Sequence, residues 1–70
     1  MSTVTFTFKP SLTGVQRGLT ARTITVPAFG EPSNAAARLA FGPKFSARIS
    51  GAGYAVRQDH AVTVGFLTVS

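Results

Sequence analysis

A chain of 70 residues with no cysteine and one histidine leaves no room for a second domain, a disulfide or a metal site of four protein ligands. Its net charge of +5 reflects missing acid, because Glu31 and Asp59 are the only carboxylates beside seven Lys and Arg. Charged residues make up 13% of the chain, well below the globular average of about 25%, which suits a surface turned toward protein or phosphate.

From the N-terminus, Thr3 to Lys9 alternates. Val4, Phe6 and Phe8 share one side of an extended chain, and Thr3, Thr5, Thr7 and Lys9 share the other. Pro10 stops this strand by removing a ladder donor. Ser11 to Gly18 reads as a loop. Ala21 to Val26 alternates again, with Ile24 and Val26 inward and Ala21, Thr23 and Thr25 outward, until Pro27 ends it. The two strands are expected to pair with threonines opposite threonines.

The middle of the chain changes period. Ala35 to Phe41 is rich in alanine with one leucine, both strong helix formers. Ser33 or Asn34 supplies an N-cap and Gly42-Pro43 a stop. A helix this short is unstable alone and must lie on a sheet. Its expected buried stripe is Ala36, Leu39 and Ala40, with Asn34 and Arg38 outward.

Lys44 to Ile49 alternates with Phe45, Ala47 and Ile49 inward and Lys44, Ser46 and Arg48 outward. Gly51-Ala52-Gly53 bends or breaks that strand. Tyr54 to Arg57 resumes the extended pattern, and Gln58-Asp59-His60 turns into a last strand, Ala61 to Ser70. Pairing Val56 with Val62 and Tyr54 with Val64 predicts a three-residue hairpin loop. The last strand is apolar on both sides, with Val62, Val64 and Phe66 one way and Leu67 and Val69 the other. A neighbouring chain covers its second side, or the helix and a loop of this chain cover both, or a phase slip at Phe66-Leu67, eased by Gly65, reconciles the pattern through a bulge. The predicted architecture is a single α+β domain over residues 1–70, a mostly antiparallel sheet of four to five short strands with one short helix, in the order β-β-α-β-β(-β).

Chemistry-bearing motifs are few. Asp59-His60 is the only acid–histidine neighbour pair, it falls in a turn, and no nucleophile belongs with it. Gly51-Ala-Gly53 lacks the third small residue and the helix that a dinucleotide fingerprint requires. The expectation is therefore a non-enzyme with no cofactor, metal or small-molecule substrate. The first reading is a structural or interaction subunit of a homo-oligomer or larger particle, such as a phage or virus coat-associated protein, with Phe66, Leu67 and Val69 at its interface. The alternative is a small basic protein that binds single-stranded nucleic acid through Lys44, Arg48, Arg57 and Tyr54. A third is a small inhibitor that occludes an acidic partner surface. Residues 1–8 alternate without a basic residue, unlike a secretory signal, and no apolar run approaches the ~20 residues of a membrane span. Cytoplasmic synthesis without membrane attachment is the corresponding expectation.

Overall fold

The computed structural model describes residues 2–70. The threonine-rich alternation near the N-terminus produces β1 (Thr3–Pro10) and β2 (Arg22–Pro27), paired antiparallel with Thr5 opposite Thr25 and Thr7 opposite Thr23. The Thr5 and Thr25 hydroxyls meet at 2.9 Å. Between the strands, the expected loop instead holds a short helix, α1 (Leu12–Gln16). Five residues including a glycine do not hold a helix by propensity. Tertiary contacts hold it: Ser11 Oγ caps the Gly14 N–H, and the Ser11 N–H donates to the Val64 carbonyl.

The remaining elements are α2 (Pro32–Phe41), β3 (Phe45–Ser50), β4 (Gly53–Gln58) and β5 (Val62–Val69). All five strands form one antiparallel sheet in the order β2-β1-β5-β4-β3. The class is therefore α+β as expected, with a second helix added. Both helices lie on one face. Phe6, Phe8, Ile24, Val26, Val56, Val64 and Leu67 form the core beneath them with Ala36 and Ala37. Among the described residues, no helix is long and apolar enough to cross a membrane.

The α2 helix makes its close approaches to β3 and β2, the two edges of the sheet. Asn34 Oδ1 accepts the Ala47 N–H of β3 at 3.2 Å, and Arg22 Nη1 of β2 donates to the Ala40 carbonyl at 3.0 Å. The helix thus bridges the opening of a curled sheet. Its buried side is Ser33, Ala36 and Ala37, while Leu39 is 70% exposed. This corrects the expected stripe: Leu39 points away and Asn34 turns inward. Hydrophobicity alone would bury the leucine, but only small side chains let the helix settle between two strand edges.

The β4–β5 hairpin has three residues, Asp59 to Ala61, between the paired Gln58 and Val62. Asp59 and His60 both take positive φ, and the Ala61 N–H closes the turn on the Gln58 carbonyl. The expected pairing of Val56 with Val62 and Tyr54 with Val64 is replaced by Val56 with Gly65 and Tyr54 with Leu67. A register shift causes the difference: Arg57 pairs with Thr63, yet Val56 pairs with Gly65, so Val64 is an extra residue on β5. The slip lets Val64 and Leu67 both enter the core.

Glycine is required at the slip. A Cβ on Gly65 would meet the Phe8 ring and lie 2.7 Å from the Lys9 carbonyl oxygen. Gly65→Ala should therefore destabilise the fold by about 1–3 kcal/mol, as overpacking does. Chemical denaturation would read this directly, and an unchanged midpoint would contradict the close packing.

Candidate functional site

Helices cover only one face of the sheet. The pairing registers map the other face row by row. One row is Thr23–Thr7–Thr68 and a flanking one is Thr25–Thr5, extended by Ser70, whose N–H donates to the Thr5 carbonyl. The Thr7 and Ser70 hydroxyls also touch. The next row runs across four strands as Lys9, Phe66, Ala55 and Arg48. Beyond it lie Thr63, Arg57 and Ser46. No acid occupies any strand: Glu31 precedes α2, and Asp59 sits in the β4–β5 turn.

Each position on this face has a local cause. Phe66 faces outward because the slip at Val64–Gly65 reverses the alternation of β5. It remains 48% exposed, although it lies on the central strand of the sheet. Lys9 is its direct neighbour on β1, and the missing side-chain bulk of Ala55 leaves the ring open on the β4 side. Arg48 flanks Ala55 from β3. Lys9 and Arg48 are therefore about 14 Å apart across three strand spacings. Arg57 Nη2 donates to the Ala61 carbonyl at 3.2 Å, while its buried Nε has no partner among the described residues. Ser46 is buried and lies 3.3 Å from His60 Nδ1. The single histidine thus pins the hairpin turn to β3.

The expected nucleic-acid residues divide between the faces. Arg48 and Arg57 share the outer face, and the alternation of β3 places Lys44 on the same side, one residue before the strand. Tyr54 lies on the helix side, where its ring meets Phe6 edge-on with centroids 5.8 Å apart. It is a core aromatic and no partner for the outer cations. Phe66 and Lys9, which the sequence pattern does not group with the cations, stand beside them on the outer face instead. Their signal was the bulge itself: once Gly65 is given the slip, Phe66 must leave the core.

The expected interface residues divide as well. Leu67 is 0% exposed and covered by this chain alone, so it has no surface to offer a partner. Val69 remains 60% exposed at the end of β5. It lies on the helix side, opposite Phe6 and diagonal to Tyr54. Ile49, opposite Tyr54 on β3, is 81% exposed. Val69, Tyr54 and Ile49 thus form an apolar strip at the end of the core.

An open depression of about 750 Å³ wraps around the β3 edge, bounded by Glu31 and Ser33, by Ile49 and Tyr54, and by Arg48 and Arg57. Its walls belong to opposite faces of the sheet, so it encloses no chamber for a small molecule. Among the described residues, no three His, Asp or Glu side chains gather as a metal site would require. Comparison with protein-family models, curated proteins and solved structures finds no match.

A half-exposed ring on the outer face contributes little to the core. Phe66→Thr should change stability by less than about 1 kcal/mol, within the range of strand propensity. Thermal unfolding followed by circular dichroism checks this, and a loss as large as that of a core phenylalanine would place the ring in the packing after all.

Proposed function

We propose that this protein is a non-enzymatic binding module that holds single-stranded nucleic acid on the open face of its sheet. The observation that carries the reading is the cross-strand row Lys9–Phe66–Ala55–Arg48, an exposed ring flanked by two cations on strands that carry no acid. An aromatic side chain accepts any base as a stacking partner, and flanking cations hold the phosphates on either side. Arg57 and Lys44 extend the positive surface toward the β4–β5 turn. The surrounding threonines present hydroxyls that can bond phosphate or sugar oxygens.

A structural subunit of a larger assembly is the second reading. It is favoured by the apolar surface of so small a chain: Leu12, Val15, Phe29, Leu39, Ile49 and Val69 are all exposed away from the basic face. A domain of this size hides only about 60% of its unfolded surface, so self-association would add stability that the monomer lacks.

Fluorescence anisotropy with labelled single-stranded DNA and RNA, at low and moderate salt, tests the first reading. Binding should weaken with salt, and Phe66→Ala should cost about 1–3 kcal/mol, the worth of one stacked base. Lys9→Ala and Arg48→Ala should each reduce the salt slope by about 0.7, one phosphate contact apiece. Absence of binding at low salt would remove the reading.

A further inference from the structure

The two edges of the sheet are treated differently. In an antiparallel ladder, alternate residues point their N–H and C=O groups toward one neighbour and then toward the other. At β3 two of the outward N–H groups are already engaged: the Phe45 N–H donates to the Gly42 carbonyl and the Ala47 N–H to Asn34. At β2 the phase follows from the Ala28 N–H, which donates to the Ser2 carbonyl across the β1 ladder. Val26 and Ile24 therefore also bond to β1, while Thr23 and Thr25 face outward. Both are exposed, and among the described residues their backbone groups meet no partner. Thr23 to Val26 carries no charge, and among the described residues no hydrogen bond from a helix or loop reaches its outward backbone groups. Natural proteins seldom leave such an edge unpaired.

We propose that the outward edge of β2 pairs antiparallel with the same edge of a second copy of this chain, about a two-fold axis at Ile24. The arrangement is self-complementary. Thr23 of one copy stands opposite Thr25 of the other, and each pair exchanges both backbone bonds. Ile24 faces its own counterpart on the helix side. Pro27, which has no N–H to offer, ends the ladder at each extremity, so the contact closes at two copies. Charge permits the approach, because the two Arg22 residues stand about 14 Å apart in this register, beyond the ~8 Å screening length at physiological salt. A partner edge of identical length and phase is supplied by the chain itself, which favours a second copy over a foreign peptide. The contact is short, so dimerisation belongs to the weak class and rises with protein concentration.

Light scattering coupled to size-exclusion chromatography, from low micromolar to near-millimolar protein, should show the mass moving from one chain toward two. Thr25→Pro removes an outward donor that the β1 ladder does not use, and should give a folded monomer with an unchanged circular dichroism spectrum. Thr23→Lys, an edge charge, should do the same without proline constraints. In the dimer, hydrogen exchange should slow at the Thr23 and Thr25 amides. A chain that stays monomeric throughout overturns the proposal. So does a dimer that survives both substitutions, or one whose Thr23 and Thr25 amides exchange freely, since its interface would lie elsewhere. None of these measurements involves nucleic acid, so the result is independent of the reading of the outer face.

Discussion

The central strand must face the core along its whole length, yet the residues of Val62–Val69 meet that demand only if the chain slips by one position. Without the slip, Leu67 would point to water and Phe66 would be driven in. With it, Val64 and Leu67 fill the core and Phe66 stands on the open face. The slip needs a residue with no side chain, because the Phe8 ring lies where a Cβ on Gly65 would be. It also needs support for the displaced backbone, and the Val64 carbonyl receives it from the Ser11 N–H at the entrance of α1. One bulge therefore accounts for the short first helix, for the closed core and for the exposed ring.

The second constraint is closure. A curled sheet of five strands has two edges, and a ten-residue helix spans between them. Small residues let α2 sit deep, and bonds from Asn34 and Arg22 tie it to one strand on each side. Arg22 also covers the Phe41 ring at 5.7 Å, which joins the end of the helix to the aromatic cluster of Phe8, Phe41 and Phe45. The closure is lopsided. Asn34 occupies one outward ladder group of β3, the Ala47 N–H, whereas Arg22 reaches past those of β2 to the helix terminus and leaves them free.

The parts of this architecture that depend on period two were legible in the sequence. The alternations of Thr3–Lys9 and Ala21–Val26 assigned both faces and burial, because one wet and one dry side leave little freedom of register; that of Lys44–Ile49 assigned sides of the sheet only, since Ile49 is exposed on the helix side and Ser46 is buried on the other. The features that depend on tertiary space were less legible. Leu39 is the most apolar residue of its helix and is nevertheless turned outward, since depth of approach outweighed hydrophobicity. The helix Leu12–Gln16 has no propensity signal, because the groups that hold it belong to β5. Tyr54 packs on the core side, away from the cations, while the ring that stands beside them is hidden in the sequence by the phase of β5. The slip lies at Val64–Gly65 and not at Phe66–Leu67 as the sequence pattern suggests, and that position decides which ring faces outward.

The basic face and the free edge also bear on one another. Pairing through β2 would continue the sheet, so both outer faces would open on the same side of a ten-stranded array. The two Phe66 rings would then be separated by five strand spacings across the sheet and about six residues along it, roughly 31 Å in all, over an uncharged floor of threonines. Each spacing turns the sheet by roughly 20–25°, so the second platform is rotated by more than a right angle from the first. A stiff duplex would have to bend strongly to touch both, at a cost of order several kcal/mol. A single strand follows the turn freely, and two linked sites would then gain avidity without any new contact. The twist that every β-sheet carries would thus favour flexible strands over a stiff duplex, in keeping with the proposed stacking on an exposed ring between two cations.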